Sequence, residues 1–302
     1  MAVPSRGALV VLAACLASLA TAASASAAAP AASGTVYGGY TAQDAPLVVT
    51  LDRTRTQIRT VGIHVASADG YTFGDTGRAV AVKPPVMRVG DDIVTNTRIS
   101  STGAFKAAGQ ALTGYGGGPS GSGLLGVVTY TLTGKVKGAL MQGTLKARLA
   151  LTDPATGRPS RTVTFRTLSW VASSRPGRVF AGTTKANEPV VIELNATGHV
   201  CKFLRVPWSA SGAAGDWAIA EAFRNMTLTG GAYARVWSSP FPRSDGGVNT
   251  FDYNLSMRVG ATKASGSLQV KVTETSAAGA IEGTYDSGPI AFSAATSAKT
   301  AT

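Results

Sequence analysis

The sequence contains two copies of one pattern, and this duplication constrains the fold more than any other feature. Residues 37–51, YGGYTAQDAPLVVTL, recur as FAGTTKANEPVVIEL at 180–194, an offset of 143 residues. Three further matches follow in the same order at offsets of 128, 123 and 120: 103–105 with 231–233, 143–149 with 266–272, and 164–167 with 284–287. Matches that keep their order while the offset shrinks indicate a tandem duplication with deletions in the second copy.

Alternation of apolar and polar residues predicts half-buried antiparallel strands in both copies. The stretches 144–151 and 267–273 alternate in this way, and turn-rich segments such as 153–157 and 244–247 separate such runs. With 36 glycines and only 15% charged residues, the composition is also unlike that of a helical protein.

We therefore predict an all-β protein with two tandem antiparallel β-sandwich or β-barrel-like domains, produced by the duplication and preceded by a signal peptide. The predicted segments are a signal peptide at 1–27, a disordered segment at 28–35, a basic β domain at 36–172, a linker at 173–178, a neutral β domain at 179–294 and a disordered tail at 295–302. One stretch of the second domain, 216–226, is expected to form a short helix, because Trp217, Ala220 and Phe223 recur at helical spacing.

The N-terminal segment has the features of an export signal. Arg6 precedes an apolar stretch at 8–20 that is too short to span a bilayer, and ASA at 25–27 forms a small-x-small cleavage site. We expect a secreted protein; the alternative is a lipoprotein, since LAAC at 12–15 fits a lipobox in which Cys15 is acylated. After cleavage Cys201 is the one remaining cysteine, expected to be a small apolar strand residue or, alternatively, a thiol that links two chains.

Several short elements make both copies resemble a known group of bacterial proteins. The elements are GGYT at 38–41, PVVIEL at 189–194, the turn at 153–157, and closing strands at 165–170 and 285–290. Both copies resemble the tandem secreted β-modules of unassigned function found in high-GC Gram-positive, actinobacterial-type bacteria. The resemblance implies a secreted β protein and no catalytic residues. Typical members carry cysteines near the positions of Gly212 and Tyr285, where this chain has none.

The residues that enzymes use as bases and metal ligands are scarce. His64 and His199 are the only histidines, and no Gly-x-Ser-x-Gly nucleophile motif occurs. The stretch 121–126 matches a dinucleotide fingerprint, but an apolar strand pattern follows it in place of the helix that such a site needs. We expect no catalytic residues, cofactor or metal site; the alternative is a secreted hydrolase with an unrecognised carboxylate site.

The four tryptophans are candidates for contact with a glycan. Trp170 and Trp208 lie at strand positions that align with Ile290 and Val65 of the other copy, so we expect them in the cores. Trp217 and Trp237 lie in less regular segments of the second copy. These two are the predicted aromatic binding residues, on an exposed platform.

Positive charge is concentrated in the first copy. Residues 36–172 contain 15 Lys and Arg against 7 Asp and Glu, whereas residues 179–292 contain 9 of each. The predicted anion-binding residues are Lys135, Lys137, Lys146, Arg148, Arg158, Arg161 and Arg166. On this basis we expect a non-catalytic protein that binds anionic polymers or glycans of the cell envelope, with no specific nucleic-acid partner and no transmembrane segment. The alternative for the charge is a solvated basic face that aids solubility.

Overall fold

A computed structural model describes residues 35–63, 65–66, 86–87, 93–115, 124–152, 158–164, 167–212 and 215–297. Within these ranges the chain forms antiparallel β-strands and no helix, which confirms the all-β prediction. None of these residues belongs to a helix with the length and hydropathy of a membrane span. The predicted signal peptide and the turn at 153–157 lie outside the described residues.

The first copy forms a nearly closed sheet of nine strands. These are β1 (Val36–Thr41), β2 (Pro46–Leu51), β3 (Gln57–Ile63), β6 (Ile93–Arg98), β7 (Ala104–Tyr115), β8 (Leu124–Lys137), β9 (Leu140–Thr152), β10 (Pro159–Thr164) and β11 (Leu168–Ser173). Their order is β6-β3-β2-β1-β11-β9-β8-β7, and β10 also pairs with β9. A separate two-stranded sheet joins β4 (Val65–Ala66) to β5 (Val86–Met87).

The second copy forms a closed barrel with the same strand order. Its strands are β12 (Val179–Thr184), β13 (Pro189–Leu194), β14 (Val200–Gly212), β15 (Gly215–Thr227), β16 (Ala232–Pro242), β17 (Val248–Val259), β18 (Lys263–Thr275), β19 (Ile281–Asp286) and β20 (Ile290–Thr296). The order is β15-β14-β13-β12-β20-β18-β17-β16. Strand β19 pairs with β18 and, through Ser211 and Asp286, with β14, and this contact closes the ring.

The alternating stretches are strands, as predicted, with one face in a core. In β9, Leu145 and Ala147 are buried while Lys146 and Arg148 are exposed, and β18 shows the same alternation. The turn at 244–247 is also confirmed, with Gly246 at a φ of 84°. Period-two burial of this kind is what fixes the register of each strand.

The predicted helix at 216–226 is wrong, because these residues belong to the 13-residue strand β15. This strand pairs with β14 along its whole length, from Thr227 opposite Val200 to Gly215 opposite Gly212. A long hairpin satisfies the backbone of both strands, and this pairing overrides the weak helical spacing of a few apolar residues.

Strand pairing confirms most of the predicted duplication. The pair Val49–Val61 in the first copy recurs as Ile192–Leu204 in the second, at the offset of 143. Residues at the offsets of 128 and 123 likewise occupy equivalent positions in the strands that follow. The two copies therefore share one topology and one register over most of their length.

The predicted match of the closing strands is wrong by two residues. Trp170 pairs with Gly143, whereas Phe292 pairs with Gly266, the equivalent glycine. Trp170 therefore corresponds to Phe292, at an offset of 122, and not to Ile290. The error has a physical reason: a slip of two residues keeps the same face of a strand inward, so alternation alone does not detect it.

Each copy has its own hydrophobic core, and the two tryptophans predicted as core residues lie there. Trp170 packs in the first core with Phe105, and Trp208 packs in the second with Phe251. The chain passes from β11 to β12 through residues 174–178, inside the predicted linker. Independent folding of the two domains within the predicted boundaries stays a prediction.

The copies contact one another through the same surface, the outer side of the β1–β2 hairpin and of its equivalent, β12–β13. The apolar cluster at this contact contains Val36, Val48, Val179, Ala181 and Val191. At the offset of 143, Val36 corresponds to Val179 and Val48 to Val191. The contact is therefore built from equivalent residues of the two copies, as in an isologous dimer interface.

Candidate functional site

The outer surface of β7, β8 and β9 carries a group of exposed cations, which we call the cationic face. It consists of Lys106, Lys135, Lys137, Lys146 and Arg148. The neighbouring residues at inward positions, such as Phe105 and Ala147, are buried in the first core. The alternation of each strand therefore fixes all five side chains toward solvent.

Among the residues that the structure describes, the cationic face contains no compensating acid. Strands β7 to β10 have no Asp or Glu in their sequences. Cross-strand partners are neutral: Lys146 lies opposite Thr131, and Arg148 lies between Thr129 and Thr164. Within the described part of the chain, none of the five cationic side chains forms a hydrogen bond or ion pair. Lys146 and Arg148 are about 7 Å apart along β9, as two successive residues on one face must be.

The structure describes less of the three remaining predicted cations. Arg158 is exposed just before β10, and Arg161 lies within β10 opposite Leu151. Arg166 lies outside the described residues, as does His64. Sequence reasoning missed Lys106, although it lies on the strand that pairs with β8 and at a position flanked by two apolar residues.

A shallow groove of about 560 Å³ beside the cationic face crosses strands β7, β8, β9 and β11. Gly134 and Gly143 form its middle, Phe105 and Trp170 lie beneath them, and Lys135 is at the rim. Both glycines are sterically required: a Cβ on either would lie 2.7 Å from the Trp170 ring. The absence of side chains at the two glycines lets the core rings of Phe105 and Trp170 pack directly beneath the sheet and leaves the groove shallow.

The predicted aromatic platform is not formed as expected. Trp217 is only 8% exposed and packs edge-on against Phe251 at 5.4 Å, so its assignment to an exposed platform is wrong. Its position in β15 alternates inward, which the helical interpretation obscured. Trp237 is partly buried and stacks on Tyr253 at 4.8 Å, with the Arg235 guanidinium 5.5 Å from its ring centroid.

A carboxylate lies among the aromatic residues of the second core. Glu221 accepts hydrogen bonds from Trp208 Nε1 at 2.8 Å and from the Tyr253 hydroxyl at 2.9 Å. Burial raises the pKa of Glu221, with the two hydrogen bonds acting in the opposite direction. Because both carboxylate oxygens are engaged by core side chains, we assign Glu221 to packing.

Cys201 is fully buried in the second core, as expected of a small apolar strand residue. Burial raises the pKa of its thiol to about 12, and Sγ donates a hydrogen bond to the Phe203 carbonyl at 3.3 Å. A buried, protonated thiol is a poor nucleophile, which argues against a disulfide between two chains.

Comparison of the chain with models of protein families, with curated protein sequences and with solved structures gives no match.

Proposed function

We propose that this protein is a secreted, non-catalytic β protein that binds anionic polymers of the cell envelope or extracellular space through the cationic face. The observation that carries the proposal is the set of five exposed, unpaired cations on strands that contain no acid. The export signal expected from residues 1–27 supports the location.

The physical basis is the release of counterions. A polymer with closely spaced negative charges holds condensed cations, and each protein cation that replaces one releases it into solution. Lys135 and Lys137 on β8, and Lys146 and Arg148 on β9, form two pairs of cations about 7 Å apart along their strands, which offer several contacts to one polymer chain. Exposed Lys and Arg without local acids carry no competing ion pair that must be broken first.

The groove over Gly134 and Gly143 supports the same proposal. It provides a shallow depression with Phe105 and Trp170 beneath it, next to Lys135. The depression lets one unit of a polymer chain lie close to the sheet, with its charged group next to Lys135.

The test is binding of the purified protein to poly(glycerol phosphate) and to neutral dextran across a salt series. We expect binding to the polyanion only. For the variant Lys146→Gln/Arg148→Gln, the slope of log affinity against log salt should fall by about 2, since each lost contact removes roughly one released counterion.

The matched control is Arg258→Gln/Lys263→Gln, which removes two exposed cations from the second copy. It should leave the salt slope unchanged. Equal losses in the two variants would mean that net charge, and not the cationic face, governs binding, and comparable binding to dextran would contradict the proposal outright.

A further inference from the structure

A second cationic site lies between the two copies, in a groove of about 310 Å³ that we call the inter-copy groove. Tyr40, Leu140 and Val171 line it from the first copy, and Val191 and Glu193 line it from the second. The volume is at the lower end of the range for small-molecule sites. Much of the lining is apolar, with charged groups placed around it.

Four cations line the inter-copy groove against a single acid. Arg175 and Arg178 come from the connection between the copies, and Lys202 and Arg205 come from β14. The first three are exposed and have no side-chain hydrogen bond or ion pair within the described ranges. The opposing acid is Glu193, so the groove has an excess of three positive charges.

Arg205 differs from the other three because it is only 2% exposed. Its guanidinium lies 4.1 Å from the Tyr40 ring centroid and 4.3 Å from that of Phe203, and Nε donates to Asp44 Oδ1 at 2.8 Å. Asp44 also pairs with Arg224, so this single carboxylate serves two guanidinium groups.

One donor atom of Arg205 remains unused. Nη1 is buried and has no hydrogen-bond partner among the described residues. Buried donors are nearly always paired, and an unpaired charged donor is costly. Because Nη1 is shielded from solvent, Arg205 acts on an anion in the groove through its charge, and the exposed Arg178 and Lys202 supply the accessible donors.

We propose that the inter-copy groove binds a single oxyanion, a carboxylate or phosphate, carried on a sugar or similar polyol. Arg205 and its three cationic neighbours neutralise the oxyanion. Glu193 accepts hydrogen bonds from hydroxyl groups, and the apolar lining, including Leu140 and Val191, contacts the carbon skeleton. This site shares no residue with the cationic face and does not depend on the proposed binding of polymers.

The test is calorimetric titration of the full chain at low salt with glucuronate, glucose 6-phosphate and neutral glucose. We expect glucuronate or glucose 6-phosphate, or both, to bind with one site per chain, and the preferred one identifies the oxyanion. Glucose should not bind measurably, because it lacks the charge that the four cations recognise.

The discriminating variant is Arg178→Gln/Lys202→Gln, which alters two exposed side chains and leaves the buried Arg205 in place. It should weaken binding of the preferred anion by about tenfold or more, the loss expected when charge-assisted hydrogen bonds are removed. The matched control, Lys146→Gln/Arg148→Gln, removes the same charge from the cationic face and should leave small-anion binding unchanged.

Three results would overturn the proposal: no binding of either anion, binding of glucose as tight as that of its phosphate, or equal weakening in the two double variants. Because the probes are single small anions, these results are separate from the polymer measurements. Loss of polymer binding with retained glucuronate binding, or the reverse, would remove one proposal and keep the other.

Discussion

The two copies share a fold but differ on the outer surface of the same strands. At the offset of 123, Lys146 corresponds to Gln269 and Arg148 to Lys271. Arg148 lies between two threonines, whereas Lys271 lies beside Asp286, with its Nζ 3.5 Å from the carboxylate. The first copy thus presents free cations where the second presents a neutral, internally paired surface.

This difference shows which positions the fold controls. Inward residues of equivalent strands stay apolar, as with Leu145 and Leu268, because both cores need them. Outward residues are under no such constraint and have diverged in charge. The groove of the cationic face also differs, since Gly134 corresponds to Met257, a side chain that is itself buried in the second core.

The largest expected effect concerns the two core tryptophans. Trp208 Nε1 donates to Glu221, whereas Trp170 Nε1 has no hydrogen-bond partner among the described residues. The second copy has Phe292 at the position of Trp170. Trp208→Phe should lower the free energy of unfolding by about 3 kcal/mol, through lost packing and an unpaired carboxylate oxygen. Trp170→Phe should cost only about 1 kcal/mol.

Urea denaturation of the full chain measures both values. Similar losses for the two variants would show that the Trp208–Glu221 hydrogen bond adds little to the second core, and that the cores differ less than their contacts indicate.

The next effect concerns equivalent turn residues at the contact between the copies. Asp44 and Asn187 both have positive φ, 58° and 61°, but only Asp44 pairs with the buried Arg205. Asp44→Asn keeps a side chain that tolerates this backbone conformation and removes the charge. We expect a loss of about 2 kcal/mol, below the 3–5 kcal/mol typical of a fully buried pair, because Asp44 is partly exposed.

Asn187→Asp is the matched control. The residue equivalent to Arg205 in the first copy is Gly62, which offers Asn187 no charged partner, so stability should change by less than about 0.5 kcal/mol. Equal changes for the two substitutions, measured by urea denaturation, would contradict a specific role for the Asp44–Arg205 pair.

The fold class and much of the duplication were accessible from the sequence because both depend on alternation and on ordered anchors. The stretch 144–151 reveals its buried face without reference to any other strand. By contrast, the strand at 215–227 depends on its pairing with β14, and the alignment of Trp170 with Phe292 depends on pairing with two glycines. Such nonlocal pairing leaves little trace in a local pattern.

The same distinction applies to the candidate sites. Alternation correctly placed Lys146 and Arg148 on one outer face, whereas Lys106 joins them only through the β7–β8 pairing. The inter-copy groove depends on contact between the domains and was not predicted. One signal was present: Arg205 lies between Leu204 and Val206, and a cation inside an apolar run indicates a buried, paired charge.

A smaller effect is expected from transferring the charge pattern of the first copy to the second. The variant Asp252→Thr/Gln269→Lys/Asp286→Thr introduces the first copy's residue at each of three equivalent outer positions. It should raise affinity for poly(glycerol phosphate) by about tenfold at low salt and steepen the salt dependence.

The control for this variant is Ser244→Lys/Asp245→Asn/Glu282→Gln, which produces the same change in net charge away from the outer faces of β17 and β18. If it raises affinity equally, the position of the charges is irrelevant and the comparison of the two faces loses its functional meaning.

The smallest expected effect is the pH dependence caused by Glu221. The first copy's two described acids, Asp44 and Asp52, lie in turns, whereas Glu221 lies against the aromatic residues of a core. Since burial raises the pKa of Glu221 above its usual value of 4.5, the folded protein binds this proton more tightly than the unfolded chain does. The contribution of Glu221 to stability is therefore greatest at low pH and decreases as pH rises from about 4 through the raised pKa.

Glu221→Gln removes this titration while keeping an amide of the same shape, which resembles the protonated acid. The free energy of unfolding of the variant, minus that of the native protein, should therefore increase with pH between about 4 and 7. Urea denaturation at a series of pH values measures this difference. A constant difference would mean that the hydrogen bonds from Trp208 and Tyr253 offset desolvation, and a difference that decreases with pH would mean that they outweigh it and favour the charged form in the fold.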